Sequence, residues 1–188
     1  MVEKLLIPGM WLCWALYWWI AARGTKRNQW RESRWSRLLH GIPLVLAFVL
    51  LSPSQARLRG ASHGMLFAVY AYWIGAVLTA AGLSFAIWAR AHLGRNWSGT
   101  ITIKVDHELI TGGPYAIVRH PIYTGMLLGF VGSAIAVGRW RGVLAVALAA
   151  WAIWRRVRLE EAAMRQQFGA RYEQYSKRVP ALIPFIRL

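Results

Sequence analysis

The stretch GGPYAIVRHPIYTG, residues 112–125, governs the interpretation of this chain because it joins ionisable side chains to a long apolar run. Its glycines and Pro114 predict a turn. Pro121 suits the first turn of a helix, where its missing N–H costs nothing, so a helix is predicted to begin there. Ionisable side chains such as Arg119 and His120 are costly beside hydrocarbon and mark a functional site by default. We therefore predict a polar site at the water-facing edge of a membrane helix.

The composition indicates an integral membrane protein. The 188 residues are 57% hydrophobic and include 12 Trp but only 7 acidic residues, an unusual balance for a soluble domain. The net charge of +16 would suggest nucleic-acid binding in a soluble chain, but the positive-inside rule explains it here, so no nucleic-acid partner is predicted. One cysteine excludes an intrachain disulfide, and the scattered histidines lack metal-ligand spacing, so no metal is predicted.

Apolar segments near the roughly 20 residues needed to cross a bilayer predict five membrane-spanning helices. They are Leu5–Ala22, Leu38–Ser52, Met65–Leu93, Pro121–Gly138 and a fifth from near Gly142 to the interfacial Trp151 and Trp154. The second is short, so we expect it to begin earlier or to lie against its neighbours. The first lacks a small-residue cleavage site and is expected to remain as a helix. We predict a single all-α membrane domain, with a helical pair and loops over 1–70 and a core over 75–188.

The distribution of Lys and Arg predicts the orientation. With five spans, 18 of the 23 basic residues fall on one side of the membrane. Positively charged loops face the cytoplasm, which places the N-terminus outside and the C-terminus inside. We therefore predict a multi-pass protein of the cytoplasmic, or inner, membrane.

The fifth helix is predicted to continue into the cytoplasm. An apolar stripe at helical spacing follows the membrane segment and includes Val157, Met164, Phe168, Tyr172 and Tyr175. Glu161 falls on this stripe and needs a partner if it is buried. Glu160 lies off the stripe, where it can pair with Arg156 one turn earlier.

Breaks are expected after this helix. Gly169 is expected to bend it, and the prolines at 180 and 184 are expected to end the helix and begin an extended tail. Thr100–Val105 alternates weakly and predicts a short extended piece.

Polar groups from distant parts of the sequence are predicted to meet at the cytoplasmic edge. They are the end of the third helix, the loop 112–121 and the start of the cytoplasmic extension, with candidate side chains Arg90, His92, Arg95, Asn96, Arg119, His120, Arg156, Glu160 and Glu161.

The combined motifs resemble one known family. They are LGRNW at 93–97, GPY at 113–115 with RHPIYTG at 119–125, the glutamates at 160 and 161, FGARYEQY at 168–175, and KRVPALIPF at 177–185. Their order and spacing are similar to the isoprenylcysteine carboxyl methyltransferase family and its bacterial relatives. Phospholipid N-methyltransferases share the central signature and the paired glutamates. The resemblance covers about residues 75–188.

The resemblance implies a membrane-embedded methyltransferase that uses S-adenosylmethionine in a cytoplasm-facing pocket. A lipophilic acceptor would enter from the bilayer, among membrane lipids. The residues implied to bind the cofactor are Tyr115, Val118, His120, Pro121, Tyr123, Gly125, Glu160 and Glu161. Catalytic roles are implied for Glu161, for Arg156, which would steady the acceptor, and for Arg90, which matches a basic position at the end of the preceding helix.

The sequence leaves the acceptor open between a carboxylate, an amine and a thiol. A carboxylate needs no general base, whereas an amine or thiol would make Glu161 or His120 a candidate base. Two other functions share some features. An NADPH-dependent sterol-type reductase would share the central motif, and a membrane transporter or scaffold would share the apolar helices. The paired glutamates and the spacing at 168–175 favour the methyltransferase.

Overall fold

The computed structural model describes residues 2–24, 33–52, 65–97 and 108–186. Within these ranges the chain forms six α-helices and no β-strand. The helices are α1 (Val2–Ala21), α2 (Arg34–Leu51), α3 (Met65–Leu93), α4 (Pro121–Val137), α5 (Trp140–Phe168) and α6 (Ala170–Arg178). The all-α prediction is thus confirmed for the described residues. The predicted extended piece Thr100–Val105 lies outside them.

Helices α3 and α4 pack with their backbones in close contact. A Cβ added to Gly125 would lie 2.7 Å from the Ala86 nitrogen, and one added to Gly132 would lie 2.6 Å from the Thr79 nitrogen. Small residues allow membrane helices to approach this closely. The glycine face of α4 therefore meets a neighbouring helix.

Replacing Gly125 with alanine is expected to destabilise the protein by about 1–3 kcal/mol, because the added methyl group would force the α3 and α4 backbones apart. At roughly 2–4 °C per kcal/mol, the melting temperature in detergent should fall measurably. Gly41→Ala on α2 is the matched control, since a Cβ there has nothing within 4 Å. Alanine favours helix over glycine, so the control should melt at or above the wild-type temperature. Equal melting of Gly125→Ala and wild type would contradict this packing.

Helix α1 joins the other helices through an aromatic cluster. The Trp11 ring contacts Phe48 of α2 and Phe130 of α4 at centroid distances of 4.8 and 5.1 Å. Its indole Nε1 donates to Ser133 Oγ at 3.0 Å. Phe130 is fully buried with small residues of α5, including Ala149. This cluster connects α1, α2, α4 and α5.

Contacts at the helix ends show that α1–α3 alternate in direction. Arg90, near the end of α3, donates to the carbonyl of Ala21 at the end of α1. Arg155 of α5 donates to the Ser36 carbonyl at the start of α2, at 3.0 Å. At the opposite end of α2, Arg141 of α5 reaches the Ser52 carbonyl at 3.5 Å. The contacts of Arg155 and Arg141 therefore lie at opposite ends of the helix bundle.

Large apolar side chains cover much of the outer surface of the bundle. Leu12, Val45, Val77 and Val143 are all more than half exposed. Such extensive exposed apolar surface marks contact with a membrane or a partner. By length and composition, Arg34–Leu51 and Ala68–Leu93 are each able to cross a bilayer.

The five-span prediction is met only in part. Leu5–Ala21 and Pro121–Val137 are apolar but shorter than the two candidate spans. The second predicted segment begins earlier than Leu38, as expected, because Ser33 caps the start of α2 through a hydrogen bond from the Ser36 amide. The number of crossings stays a prediction.

The predicted extension of the fifth helix is confirmed. Helix α5 continues without interruption to Phe168 and ends at Gly169, whose φ of 50° and ψ of −127° favour glycine. Helix α6 then begins in a new direction. It ends at Arg178, and Val179 is extended, as the downstream prolines predicted.

Candidate active site

The motif loop, residues 112–120, contains a short 3-10 helix, Gly113–Ala116, in which Tyr115 is buried. Gly113 has a φ of 57°, and a Cβ there would lie 2.8 Å from the His92 ring. The His92 and Tyr115 rings are stacked with their centroids 6.4 Å apart. Tyr115 is buried, and its hydroxyl lies 3.5 Å from the Ala89 carbonyl of α3. Glycine at 113 thus allows the turn to pack against the end of α3.

The tail, residues 179–185, binds the motif loop through its backbone. The Arg119 amide donates to the Pro180 carbonyl at 2.8 Å, and the His120 amide donates to the Ala181 carbonyl at 3.0 Å. The Thr124 hydroxyl donates to the Leu182 carbonyl at 2.6 Å. The start of α4 and the tail are therefore held together.

Glu161 lies in a buried ion-pair network. Only 6% of the residue is exposed, as its position on the apolar stripe predicted. Its carboxylate accepts hydrogen bonds from Arg119 Nε at 2.9 Å and from Arg165 Nη2 at 3.0 Å. Arg119 Nη1 also donates to the carbonyl of Ser176 at 3.0 Å. Glu161 and Arg119 together connect α5, the motif loop and the end of α6.

Glu160 has a different set of partners. Its Oε1 accepts hydrogen bonds from Arg156 Nε at 3.1 Å and from the hydroxyl of Tyr123 on α4. The predicted pair between Arg156 and Glu160 is therefore confirmed. This group joins one carboxylate, one guanidinium and one phenol between α4 and α5.

His120 lies between the two carboxylates. Its Nδ1 is 3.6 Å from Glu160 Oε2, and its Nε2 is 3.4 Å from Glu161 Oε1. Within the described residues, the buried Nε2 has no hydrogen bond of good geometry. Burial opposes protonation of the ring, but the contacts with both carboxylates outweigh it and raise the pKa of His120. The imidazole is thus held close to two negative charges.

The two carboxylates remain ionised for related reasons. Burial would raise the pKa of each. His120 and Arg156 outweigh burial at Glu160, and His120 and Arg119 outweigh it at Glu161, so both pKa values fall to about 2. All three groups lie outside the predicted membrane-spanning segments.

The protein is expected to be most stable between about pH 4.5 and 6.5. The two glutamates, with pKa values lowered from 4.5, stabilise the fold above pH 4.5, and this contribution is lost as the pH falls through about 2. His120, with its pKa raised from 6.5, stabilises it fully below pH 6.5 and loses that effect as the pH rises through its raised pKa. Melting temperatures across this range test the expectation. His120→Gln should flatten the alkaline side of the curve of melting temperature against pH. An unchanged alkaline slope would contradict the role of His120.

A cavity of about 370 Å³ lies beside this cluster. That volume falls within the range of about 300–1,000 Å³ typical of small-molecule sites. One part of its lining is polar, with Tyr115, Arg119, His120, Tyr123, Arg156 and Glu160. Another part is apolar, with Trp14, Trp18, Leu44, Met126 and Ile153. The cavity therefore presents charged groups and hydrocarbon-compatible surface together.

The structure brings some predicted site residues to the cavity and not others. Among the described residues, its lining includes the predicted Tyr115, His120, Tyr123, Arg156 and Glu160. Val118, Pro121, Gly125 and Glu161 are buried outside the lining. Gly125 packs on α3, and Glu161 contacts the cavity-lining Arg119 and His120. The cofactor-binding role that the resemblance implied for these four residues stays a prediction.

Arg90 also lies outside the lining. Its guanidinium donates to the carbonyls of Gly94 and Ala21, and it packs over the Trp97 ring at 4.4 Å. These contacts join the ends of α1 and α3. In this conformation Arg90 acts as a connection between helices beside the cavity.

The sequence predicts Arg119 at the polar edge without a partner, and the structure shows that it binds Glu161 and the end of α6. Trp14 and Trp18 were not among the predicted site residues, yet both line the cavity. The spacing of Trp14 and Trp18 by one helical turn was the available signal for a shared face.

Comparison with known proteins identifies the class. The family model described as phospholipid methyltransferase matches residues 70–171, which is more than half of the chain. The chain is 32% identical over 145 residues to a probable protein-S-isoprenylcysteine O-methyltransferase of Oryza sativa subsp. indica, covering 73% of this chain and 76% of the relative. It is 38% identical over 101 residues to the protein-S-isoprenylcysteine O-methyltransferase of Schizosaccharomyces pombe, covering 52% and 43%.

An apolar helical bundle with these relatives is a membrane methyltransferase. The chain belongs to the isoprenylcysteine carboxyl methyltransferase family, which the motifs of the sequence indicated.

Proposed function

We propose that this protein transfers a methyl group from S-adenosylmethionine to a prenylated, lipophilic acceptor at the cytoplasmic face of a membrane. The observation that carries the proposal is the cavity, whose lining combines the Arg156–Glu160–Tyr123 group with an apolar surface. The relatives are named as isoprenylcysteine O-methyltransferases, which favours a carboxylate on a prenylated cysteine as the acceptor. Amine and thiol acceptors are the alternatives.

The polar lining suits S-adenosylmethionine chemically. The ionised Glu160 suits the positive charges of the cofactor, and the aromatic faces of Tyr115 and Tyr123 suit its sulfonium and its adenine. The His120 ring supplies a further polar group in the same lining. These residues would hold the cofactor, which when bound supplies a methyl group on a good leaving group.

The residues of the chain then act by orientation and by exclusion of water. Arg156 faces the cavity and would hold an acceptor carboxylate, which needs no general base. Glu160 fixes Arg156 through their hydrogen bond at 3.1 Å. Aligning two reactants can lower a barrier by about 7–11 kcal/mol in favourable cases. An amine or thiol acceptor would need a base, but the pKa of about 2 makes Glu160 a weak base and the raised pKa of His120 favours the protonated ring. These two groups therefore favour a carboxylate acceptor.

The same proposal includes the placement of the chain in the membrane. Five crossings, with the N-terminus outside and the C-terminus in the cytoplasm, would put α6 and the tail on the side that holds most of the Lys and Arg. The division into a helical pair over 1–70 and a core over 75–188 belongs to this proposal. The family match at 70–171 supports it.

The direct test is to incubate the purified protein with a total lipid extract and methyl-labelled S-adenosylmethionine, and to identify the labelled product by mass spectrometry. A labelled prenylated carboxyl ester is the expected product. S-adenosylmethionine should also raise the melting temperature, because a ligand that binds the native state stabilises it. Stabilisation by NADPH instead, with no labelled product, would favour a reductase and overturn the proposal.

Glu160→Gln is expected to weaken the binding of S-adenosylmethionine by about 10- to 100-fold, because hydrogen bonds to charged groups contribute about 1.5–3 kcal/mol. Isothermal titration measures this change. Glu173→Gln is the control, since Glu173 is an exposed residue of α6. Unchanged affinity in Glu160→Gln would show that Glu160 does not contact the cofactor.

A further inference from the structure

Two tryptophans of α1 form one surface of the cavity. Trp14 and Trp18 are one helical turn apart, and their rings stack at a centroid distance of 4.5 Å with an interplanar angle of 27°. Both line the cavity on its apolar part, together with Leu44 of α2. We call the Trp14–Trp18 pair the tryptophan wall.

The tryptophan wall is braced from the α3 side. The Trp18 ring meets Trp97 edge to face, with centroids 5.8 Å apart. Arg90 packs over Trp97 at 4.4 Å and donates to the Ala21 carbonyl at the end of α1. The tryptophan wall is therefore packed against Trp97, which Arg90 in turn covers.

The wall belongs to a part of the chain that the family match does not include. The match covers residues 70–171, whereas Trp14 and Trp18 precede it. The polar lining comes from the matched segment. The tryptophan wall therefore lies outside the segment that supplies the polar lining.

We propose that the tryptophan wall sets the length of prenyl chain that the cavity accepts. This inference rests on the proposed methyl transfer to a prenylated acceptor. With the acceptor's polar group at Arg156, its chain would extend along the apolar lining toward Trp14 and Trp18. Two large stacked rings at this position would stop a longer chain, while a shorter chain would leave part of the apolar surface uncovered. Arg90 is a positioning residue that holds the wall through Trp97 and Ala21.

The test compares kcat/KM for the S-geranyl, S-farnesyl and S-geranylgeranyl derivatives of N-acetylcysteine. In Trp18→Ala and Trp14→Ala, the ratio of kcat/KM for the S-geranylgeranyl derivative to kcat/KM for the S-geranyl derivative should rise at least about tenfold. This change lies within the range by which apolar pockets discriminate single methylenes. The stabilisation by S-adenosylmethionine should stay at the wild-type level. Trp19→Ala is the matched control on the same helix, because Trp19 is 62% exposed and lies beneath Arg23.

Each outcome decides the inference. An equal fall of kcat/KM for all three acceptors, or no change in their ratio, would show that the wall has only a packing role. If Trp18→Ala fails to fold, Trp18→Phe should shift the same ratio in the same direction by a smaller factor. If the wild type methylates other lipids but binds none of the three probes in thermal-shift assays, the tryptophan wall does not select acceptors by the length of a prenyl chain. In that case the prenylated acceptor of the proposed function is wrong as well, whereas the labelled lipids still show methyl transfer from S-adenosylmethionine.

Discussion

Replacing Glu161 with glutamine is expected to lower kcat/KM by at least about 100-fold. Glu161 orders Arg119, which binds the end of α6, and it contacts His120 on the cavity surface. Losing its charge would leave the buried Arg119 without its counter-ion. A misplacement of about 1 Å at a distance from the reaction can cost about 100-fold in rate. Initial rates with labelled S-adenosylmethionine measure the effect.

The control for this variant is Glu173→Gln, which removes a carboxylate from an exposed position on α6. Its activity and melting temperature should equal those of the wild type. Because Glu161 lies outside the cavity lining, Glu161→Asp should recover part of the activity if the residue acts through Arg119. Equal and mild effects of Glu161→Gln and Glu173→Gln would contradict a role for Glu161.

Replacing Arg119 with alanine is expected to be the most destabilising single change, at about 3–5 kcal/mol. Removing one member of a buried ion pair leaves the other charge uncompensated, and here Glu161 would keep only Arg165 and the contact with His120. The carbonyls of Ser176 and Val179 would also lose their donor. Thermal unfolding in detergent measures the loss.

Arg171→Ala serves as the comparison for Arg119→Ala. Arg171 is an exposed arginine of α6, so its removal should change the melting temperature by little. Limited proteolysis adds a local measurement. Cleavage between α6 and the tail should accelerate in Arg119→Ala and not in Arg171→Ala. Similar melting of both variants would show that the Arg119 network contributes little to stability.

The helices and the polar cluster could be predicted because their signals are local. Apolar length located α3 at its observed bounds, and the proline at 121 located the start of α4. Helical spacing predicted the burial of Glu161, because a position on an apolar stripe faces whatever that stripe packs on.

The division of roles between the glutamates could not be predicted, because it depends on residues distant in sequence. Glu160 lies off the apolar stripe, a position that is typical of a surface residue. Its side chain lines the cavity because its carboxylate accepts a hydrogen bond from Tyr123 of α4, which lines the same cavity. The partners of Arg119 at the end of α6 and in the tail lie about 60 positions later in the sequence, so no local pattern indicates them. The sequence predicts Arg90 as a site residue, but its guanidinium donates to a carbonyl at the end of α1.

The pairing of the tail with the motif loop has a consequence for biogenesis. The loop amides of Arg119 and His120 are satisfied by carbonyls at positions 180 and 181. Until residues 180 and 181 have been synthesised, these two amides lack their acceptors and the motif loop lacks this connection. A variant truncated before residue 180 is therefore expected to keep its helices and to lose the backbone hydrogen bonds that hold the motif loop in place.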